Sequence, residues 1–127
     1  MAATALVNFD FGNVEMAIRA LDAAGKEPRV ALWAKLPDYE SWRLIVASEK
    51  IDQESPLAGY GQIVEALRNA NIPMHRRPDI LLLPMKSKMI EGLRSAFSSA
   101  KDVYGMRLGG QTFGDKYIEE AFVYRIQ

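Results

Sequence analysis

The feature that most constrains the fold is a pair of apolar, β-prone segments in the first half of the chain. Residues Arg29–Lys35 and Trp42–Ser48 flank a short polar stretch that contains Pro37 and Asp38. Two such segments, separated by turn-forming residues, predict an antiparallel β-hairpin. Both segments carry apolar side chains on both faces, so we expect neither face of the hairpin to be fully exposed to water.

Three amphipathic helices are predicted around this hairpin. The first is expected to begin at Asn13 as its N-cap and to end at Gly25, which favours a left-handed C′ position. Ser55 is predicted to cap the second helix, with Pro56 at its first position, and Ser87 to cap a third that ends near Ser99. The residues predicted to be buried on these helices are Val14, Ala17, Ile18 and Leu21, then Leu57, Tyr60, Ile63, Val64 and Leu67, then Met89, Ile90, Leu93 and Phe97.

The remaining strands are predicted from shorter signals. Ile80–Leu83 is a continuous apolar run, which is typical of an interior strand that is covered on both faces. Tyr104–Leu108 and Lys116–Ile126 are predicted to form a second hairpin across the glycine-rich segment Gly109–Asp115. Leu6–Phe11 is apolar and fits either an extended arm or an edge strand.

Together these elements predict an α+β fold with the order α-β-β-α-β-α-β-β. We expect one mixed or antiparallel sheet of about five strands, three helices, and a single domain over residues 1–127. The order of the strands within the sheet is left open, because the sequence shows which strands form hairpins but not how the hairpins meet.

Composition excludes several classes of function. The chain has 16 basic and 16 acidic residues and no net charge, so no overall field attracts nucleic acid or an anionic membrane. It has no cysteine, which excludes disulfides, thiolate metal sites and cysteine nucleophiles. The single histidine excludes a two-histidine metal site. We expect no resident metal and no cofactor.

The expected location is the cytoplasm. No apolar run approaches the roughly 18 residues that span a bilayer. The amino-terminal residues lack a basic segment and carry Asp10, so no signal peptide is expected.

Four segments resemble a family of short uncharacterised bacterial proteins. They are Ala31–Trp33, Trp42–Ala47, Gly105–Arg107 and Tyr117–Arg125, the last with the pattern Tyr-Ile-Glu-x-Ala-x-x-Tyr-Arg. The resemblance covers about three quarters of the chain and departs from the family pattern at 74–88 and in the first ten residues. It implies the same α+β architecture and implies no activity or catalytic residue.

Arg43, Arg107 and Glu120 form one candidate site, a ligand-binding or ion-pair cluster on the sheet. Glu120 alternates with Ile118 and Phe122 in the last predicted strand, which indicates a partly buried carboxylate that needs an arginine partner. We favour a structural ion pair over a catalytic acid.

His75, Arg76 and Arg77 form a second candidate site, because arginine binds phosphate in a bidentate manner. Pro73 and Pro78 on either side favour a rigid loop. We prefer a solvated charged loop to an anion-binding corner.

The sequence disfavours two nucleic-acid or nucleotide signatures. Trp33, Trp42 and Tyr39 could form a stacking platform, but tryptophans on a two-sided sheet are more typical of a core. The glycines near the carboxyl terminus fit no phosphate-binding motif and precede a strand instead of a helix.

The sequence therefore predicts a small protein-interaction or assembly module more than an enzyme. We expect a homodimer or another protein partner, with Tyr117–Ile126 as the strand that pairs with a second copy. The alternative is a phosphate- or nucleotide-handling protein that uses the Arg43, Arg107 and Glu120 cluster.

Overall fold

A computed structural model describes the backbone of residues 8–127 and the side chains of residues 11–127. This part of the chain contains three α-helices, one 3-10 turn and a five-stranded sheet. The elements are α1 (Asn8–Ala23), β1 (Val30–Lys35), β2 (Arg43–Ala47), α2 (Pro56–Asn69), the 3-10 turn (Met74–Arg76), β3 (Ile80–Leu82), α3 (Lys88–Ala96), β4 (Arg107–Phe113) and β5 (Lys116–Ile126). The predicted α+β class, element order and number of strands are confirmed.

The sheet is mixed, with the strand order β3-β2-β1-β5-β4. The two hairpins β1–β2 and β4–β5 are antiparallel, and β1 and β5 join them through a further antiparallel pairing. The helical connection through α2 returns the chain in the same direction, so β3 pairs with β2 in parallel.

Each face of the sheet is covered by its own helical layer and has its own apolar core. Along β1, Leu32 and Ala34 pack with residues of α3, whereas Ala31 and Trp33 pack with residues of α1 and α2. We call these the α3 face and the α1–α2 face. The strict alternation along a strand explains why apolar residues occur at consecutive positions in this hairpin.

The α3 face is packed so closely that two glycines are required. A Cβ atom on Gly114 would overlap the backbone carbon and oxygen of Lys88, and one on Gly92 would lie 2.8 Å from the nitrogen of Gly114. Gly114 also has a φ of 62°, in the left-handed region. The β4–β5 turn thus consists of Gly114 and Asp115 and is shorter than the predicted turn over Gly109–Asp115.

The predicted start of α1 is wrong. Asn13 lies inside the helix, where its Oδ1 accepts a hydrogen bond of 3.1 Å from Nε of Arg76. This tertiary bond satisfies an amide that sequence reasoning assigned to a cap. Residues 8–11 belong to α1, and residues 6 and 7 lie outside the described part of the chain. The predicted helix end is confirmed, since Gly25 has a φ of 73°.

The predicted cap of α2 is confirmed, but its predicted buried face is partly wrong. Ser55 accepts a hydrogen bond of 3.3 Å from the Ala58 amide. A Cβ atom on Gly59 would lie 2.6 Å from Cδ2 of Leu82, so this glycine faces the sheet. The helix is therefore rotated such that Leu57 and Val64 point to solvent. The residues of α2 that are buried are Gly59, Ile63, Ala66 and Leu67.

β3 was predicted to be an interior strand, yet it lies at an edge of the sheet. Its apolar run is nevertheless explained by cover on both faces, because Ile80 and Leu82 pack on the α1–α2 face and Leu81 packs on the α3 face. Strand order is decided by long-range pairing, which the composition of the strand does not encode.

Candidate interaction surface

The first predicted cluster is only partly assembled. Nη2 of Arg107 lies 3.1 Å from Oε2 of Glu120, so these two side chains form an ion pair. Arg43 pairs in register with Ala34, whose side chain belongs to the α3 face, and its guanidinium lies 4.1 Å from the centre of the Tyr39 ring. The structure brings Arg107 and Glu120 together and holds Arg43 in a separate cation–π contact.

The predicted alternation placed Ile118, Glu120 and Phe122 on one face of the sheet. In the structure these three residues do not all share a face. Ile118 packs on the α3 face, whereas Phe122 packs on the α1–α2 face. The hairpin changes face near Gly110, which has a φ of 64°. Arg107 pairs in register with Phe122, and so Arg107 and Arg43 lie on opposite sides of the sheet.

The second predicted site, around His75, lies in the 3-10 turn and the residue after it. Besides the bond from Arg76 to Asn13, Nε of Arg77 donates a hydrogen bond of 2.9 Å to the Ile72 carbonyl. His75 itself is exposed. Both arginines therefore bind parts of this protein, and their observed contacts are structural.

The predicted aromatic platform is largely inside the protein. The rings of Trp33 and Trp42 stack with 6.1 Å between their centres, and Trp33 belongs to the core of the α1–α2 face. No group of three or more histidine, aspartate or glutamate side chains is placed to hold a metal ion within the described residues. No helix in the same part of the chain is long and apolar enough to cross a membrane.

The edges of the sheet offer little opportunity for pairing with another strand. β5, which was predicted to pair with a second copy, instead lies between β1 and β4. At one edge, the Leu82 amide of β3 donates a hydrogen bond of 2.9 Å to the hydroxyl of Tyr60. At the other edge, the φ of 64° at Gly110 departs from extended backbone within β4, and such irregularities hinder edge-to-edge pairing.

The most exposed apolar feature that remains is on α2. Leu57 is 85% exposed and Val64 is 46% exposed, and Gly61 lies between them on the same side of the helix. Their spacing of four and three residues places all three on one stripe of the helix surface. We call these three residues the α2 stripe. Nothing lies within 4 Å of the position that a Gly61 Cβ would occupy, so the helix backbone is open to approach there.

A groove of about 480 Å³ runs beside the α2 stripe, between α2 and the turn after α1. Its lining includes the small residues Ala24, Ala58 and Gly61 and the charged residues Lys26 and Glu65. The groove is therefore large enough to receive a side chain from outside.

The charges at the two ends of the α2 stripe are opposite. Arg68 lies at the carboxyl end, where its Nη2 is 3.2 Å from Oε1 of Glu65. Glu54 lies in the exposed turn that precedes the helix. Counted from Gly61, these two residues are equally far in opposite directions along the sequence. The surface is self-complementary if a second copy packs against it in the reverse direction.

Sequence reasoning missed this surface because it treated five apolar residues of α2 as one buried face. Leu57 and Ile63 are six residues apart, and a helix with 3.6 residues per turn therefore directs them about 120° apart. That separation was visible in the sequence. The sequence does not show which of the two sides of the helix is buried, because this depends on the contact of Gly59 with β3.

Comparisons of the chain with family models, curated proteins and solved structures found no match.

Proposed function

We propose that this protein is an assembly module that forms a homodimer through the α2 stripe. The observation that carries the proposal is the exposure of Leu57 and Val64 on one side of α2, next to a glycine that leaves the backbone open. Contiguous exposed apolar surface marks interaction sites in soluble proteins, and Leu57, Gly61 and Val64 lie on one continuous stripe of α2. A cytoplasmic location is part of the proposal, and the absence of cysteine is compatible with a reducing compartment.

The proposed arrangement is a two-fold antiparallel packing of two α2 helices with Gly61 at the crossing point. A two-fold axis there places Leu57 of one copy beside Val64 of the other, in both directions. It also places Glu54 of one copy near Arg68 of the other. Opposite charges at both ends of the contact favour the antiparallel direction over the parallel one, which would place like charges together.

The groove beside α2 supports the same arrangement. In an antiparallel packing, Leu57 of the second copy lies level with Glu65, next to Gly61. The groove lies at this level, so it provides a hole for the leucine side chain. Each copy contributes one such leucine and one such groove, as a two-fold interface requires.

The expected dimer is weak. Removing a leucine or valine side chain from water contributes about 1.5–3 kcal/mol, and association costs at least about 4 kcal/mol. Four partly exposed side chains across the interface thus leave a modest surplus. Because these side chains are only partly exposed, that surplus is about 4 kcal/mol at most, and we expect a Kd on the order of 1 mM.

Sedimentation equilibrium over a range of protein concentrations tests the proposal. The wild-type protein is expected to shift from monomer to dimer, and Leu57→Asp is expected to weaken association at least about tenfold, because it places charge in an apolar contact. Leu57 is exposed, so the substitution leaves the fold intact, and thermal unfolding verifies this. Met74→Asp is the matched control, because Met74 is 75% exposed but lies in the 3-10 turn outside the α2 stripe.

Two results would contradict the proposal. One is a wild-type protein that stays monomeric up to several hundred micromolar. The other is a dimer that Leu57→Asp and Met74→Asp affect equally, since that would place the interface elsewhere on the molecule.

A further inference from the structure

A second surface, on α1, holds features that the proposed dimer does not use. A cavity of about 240 Å³ lies between α1 and the segment that leads into β4. The residues that shape its chemistry are Glu15, Arg19, Asp22, Tyr104, Tyr124 and Arg125. Its volume is below the roughly 300–1,000 Å³ of pockets for drug-sized ligands, so it suits a small metabolite.

Tyr124 is placed in this cavity by an irregularity in the sheet. Ala31 pairs with Arg125 and Leu32 pairs with Val123, so Tyr124 is an extra residue with no partner in β1. Such a β-bulge redirects a side chain and is common beside functional sites. Here it gives β5 a tyrosine that lines the cavity from the side of the sheet.

The hydroxyl of Tyr124 is buried without a hydrogen-bond partner among the described residues. The residue is only 9% exposed, and burial together with the negative charge of Glu15 raises the pKa of its hydroxyl. A buried hydroxyl without a partner lowers stability, because it has lost its hydrogen bonds to water. A polar group that hydrogen-bonds this hydroxyl would remove that cost.

Tyr104 covers Tyr124 and is held by a single side-chain hydrogen bond. Its hydroxyl donates to Oε2 of Glu15 over 2.8 Å, and its ring meets the ring of Tyr124 with 5.8 Å between centres. Tyr104 is 57% exposed, and its ring also contacts the ring of Phe122, with 5.8 Å between centres. A ligand reaches the buried Tyr124 hydroxyl only if Tyr104 moves, and the hydrogen bond to Glu15 is the contact that the ligand then replaces.

The charges around the cavity form one bidentate ion pair and one weaker, exposed ion pair. Arg125 binds both carboxylate oxygens of Asp22, over 3.0 and 3.1 Å. Arg19 and Glu15 are 3.7 Å apart, and the Arg19 side chain is 79% exposed. An exposed ion pair at that distance is weak and exchanges readily for other partners. The cavity therefore presents one carboxylate and one guanidinium that a ligand can use.

We propose that this cavity binds a small zwitterion that carries one ammonium and one carboxylate group, as an amino acid does. The ammonium lies between the Glu15 carboxylate and the ring of Tyr104, where both attract a cation. The ligand carboxylate accepts hydrogen bonds from Arg19 and from the hydroxyl of Tyr124. A ligand with only one of the two charges leaves either Glu15 or Arg19 without a new partner.

A binding screen with the twenty common amino acids, each at 10 mM, tests the inference by thermal shift and then by isothermal titration calorimetry. Acetate and methylammonium serve as half-ligands with one charge each. We expect at least one amino acid to raise the melting temperature and neither half-ligand to do so. Tyr124→Phe is expected to weaken the binding about tenfold, as the loss of one hydrogen bond to a charged group does.

Tyr124→Phe suits this test because it removes only an unpartnered hydroxyl, so the variant folds at least as well as the wild type. Tyr117→Phe is the matched control, since Tyr117 lies on the same strand but is exposed and does not line the cavity. No melting shift with any amino acid, or equal binding by wild type and Tyr124→Phe, would overturn the inference. The Leu57→Asp variant is expected to keep full amino-acid binding. Binding and dimer formation therefore test the two proposals independently.

Discussion

The two faces of the sheet contrast in how completely they are packed. On the α3 face, the backbones of the β4–β5 turn and α3 touch at Gly92 and Gly114, and no larger residue fits there. On the α1–α2 face, Leu57 and Val64 remain exposed, and a cavity is open beside Tyr124. The α3 face provides stability, whereas the α1–α2 face has apolar and polar groups that remain available for binding.

The distribution of unpaired polar atoms supports the same contrast. Three buried side-chain polar atoms lack a hydrogen-bond partner within the described part of the chain, namely Nε1 of Trp33, Nε of Arg43 and the hydroxyl of Tyr124. Trp33 and Tyr124 both belong to the core of the α1–α2 face. Unsatisfied buried groups are rare in native proteins and are often found at functional sites. Function is therefore expected on the α1–α2 face.

Among the substitutions that test this contrast, the largest change in the free energy of unfolding is expected at the tip of the second hairpin. Gly114→Ala places a Cβ atom in overlap with the Lys88 backbone and strains a left-handed φ, so we expect the free energy of unfolding to fall by about 2–4 kcal/mol. Urea unfolding measures this change. Gly25→Ala is the control, because Gly25 also has a positive φ but nothing lies within 4 Å of its Cβ position.

The control is expected to lose only about 1–2 kcal/mol, which is the cost of the left-handed conformation alone. Equal losses in the two variants would show that the contact between the hairpin tip and α3 contributes nothing. The close packing attributed to the α3 face would then be incorrect.

A smaller change in stability is expected at alkaline pH, where the hydroxyl of Tyr124 begins to titrate in the unfolded chain. Because the pKa of this hydroxyl is raised in the folded protein, the unfolded chain releases its proton first, beginning near the ordinary value of 10.0. Stability is therefore full below about pH 10 and declines above it, by up to about 1.4 kcal/mol per pH unit for one such group. Urea unfolding of wild type and Tyr124→Phe at pH 8, 10 and 11 measures the difference.

Tyr124→Phe is expected to lose less stability than the wild type between pH 10 and 11. The charged groups around the cavity are the same in both proteins, namely Glu15, Arg19, Asp22 and Arg125. Parallel pH profiles for the two proteins would mean that the environment of Tyr124 does not hold its proton, and that the hydroxyl is not buried as described.

Local signals were sufficient to predict most of the fold. Ser55 and Ser87 accept hydrogen bonds from the first turns of their helices, as predicted, because a cap depends only on neighbouring residues. The two hairpins were predicted for the same reason. Asn13 was assigned to a cap because its partner, Arg76, is distant in the sequence and could not be foreseen.

The candidate sites were harder to predict, because they depend on contacts between distant segments. The exposure of Leu57 follows from the contact of Gly59 with Leu82 on β3, and the position of Tyr124 follows from a bulge against β1. The sequence suggested Arg107 and Glu120 as partners, and they do form an ion pair. It also grouped Arg43 with them, since the order of the strands was not known.

The most direct test of the proposed dimer uses a single introduced cysteine, because the chain has none of its own. In the two-fold packing, residue 61 of one copy meets residue 61 of the other, so Gly61→Cys is expected to form an intermolecular disulfide in a glutathione redox buffer. Ala70→Cys is the control. It lies nine residues from the crossing point, so its two copies are about 27 Å apart.

We expect non-reducing electrophoresis to show mostly cross-linked dimer for Gly61→Cys and mostly monomer for Ala70→Cys. Equal cross-linking of the two variants, or none for Gly61→Cys at concentrations where the wild type sediments as a dimer, would contradict an interface centred on the α2 stripe.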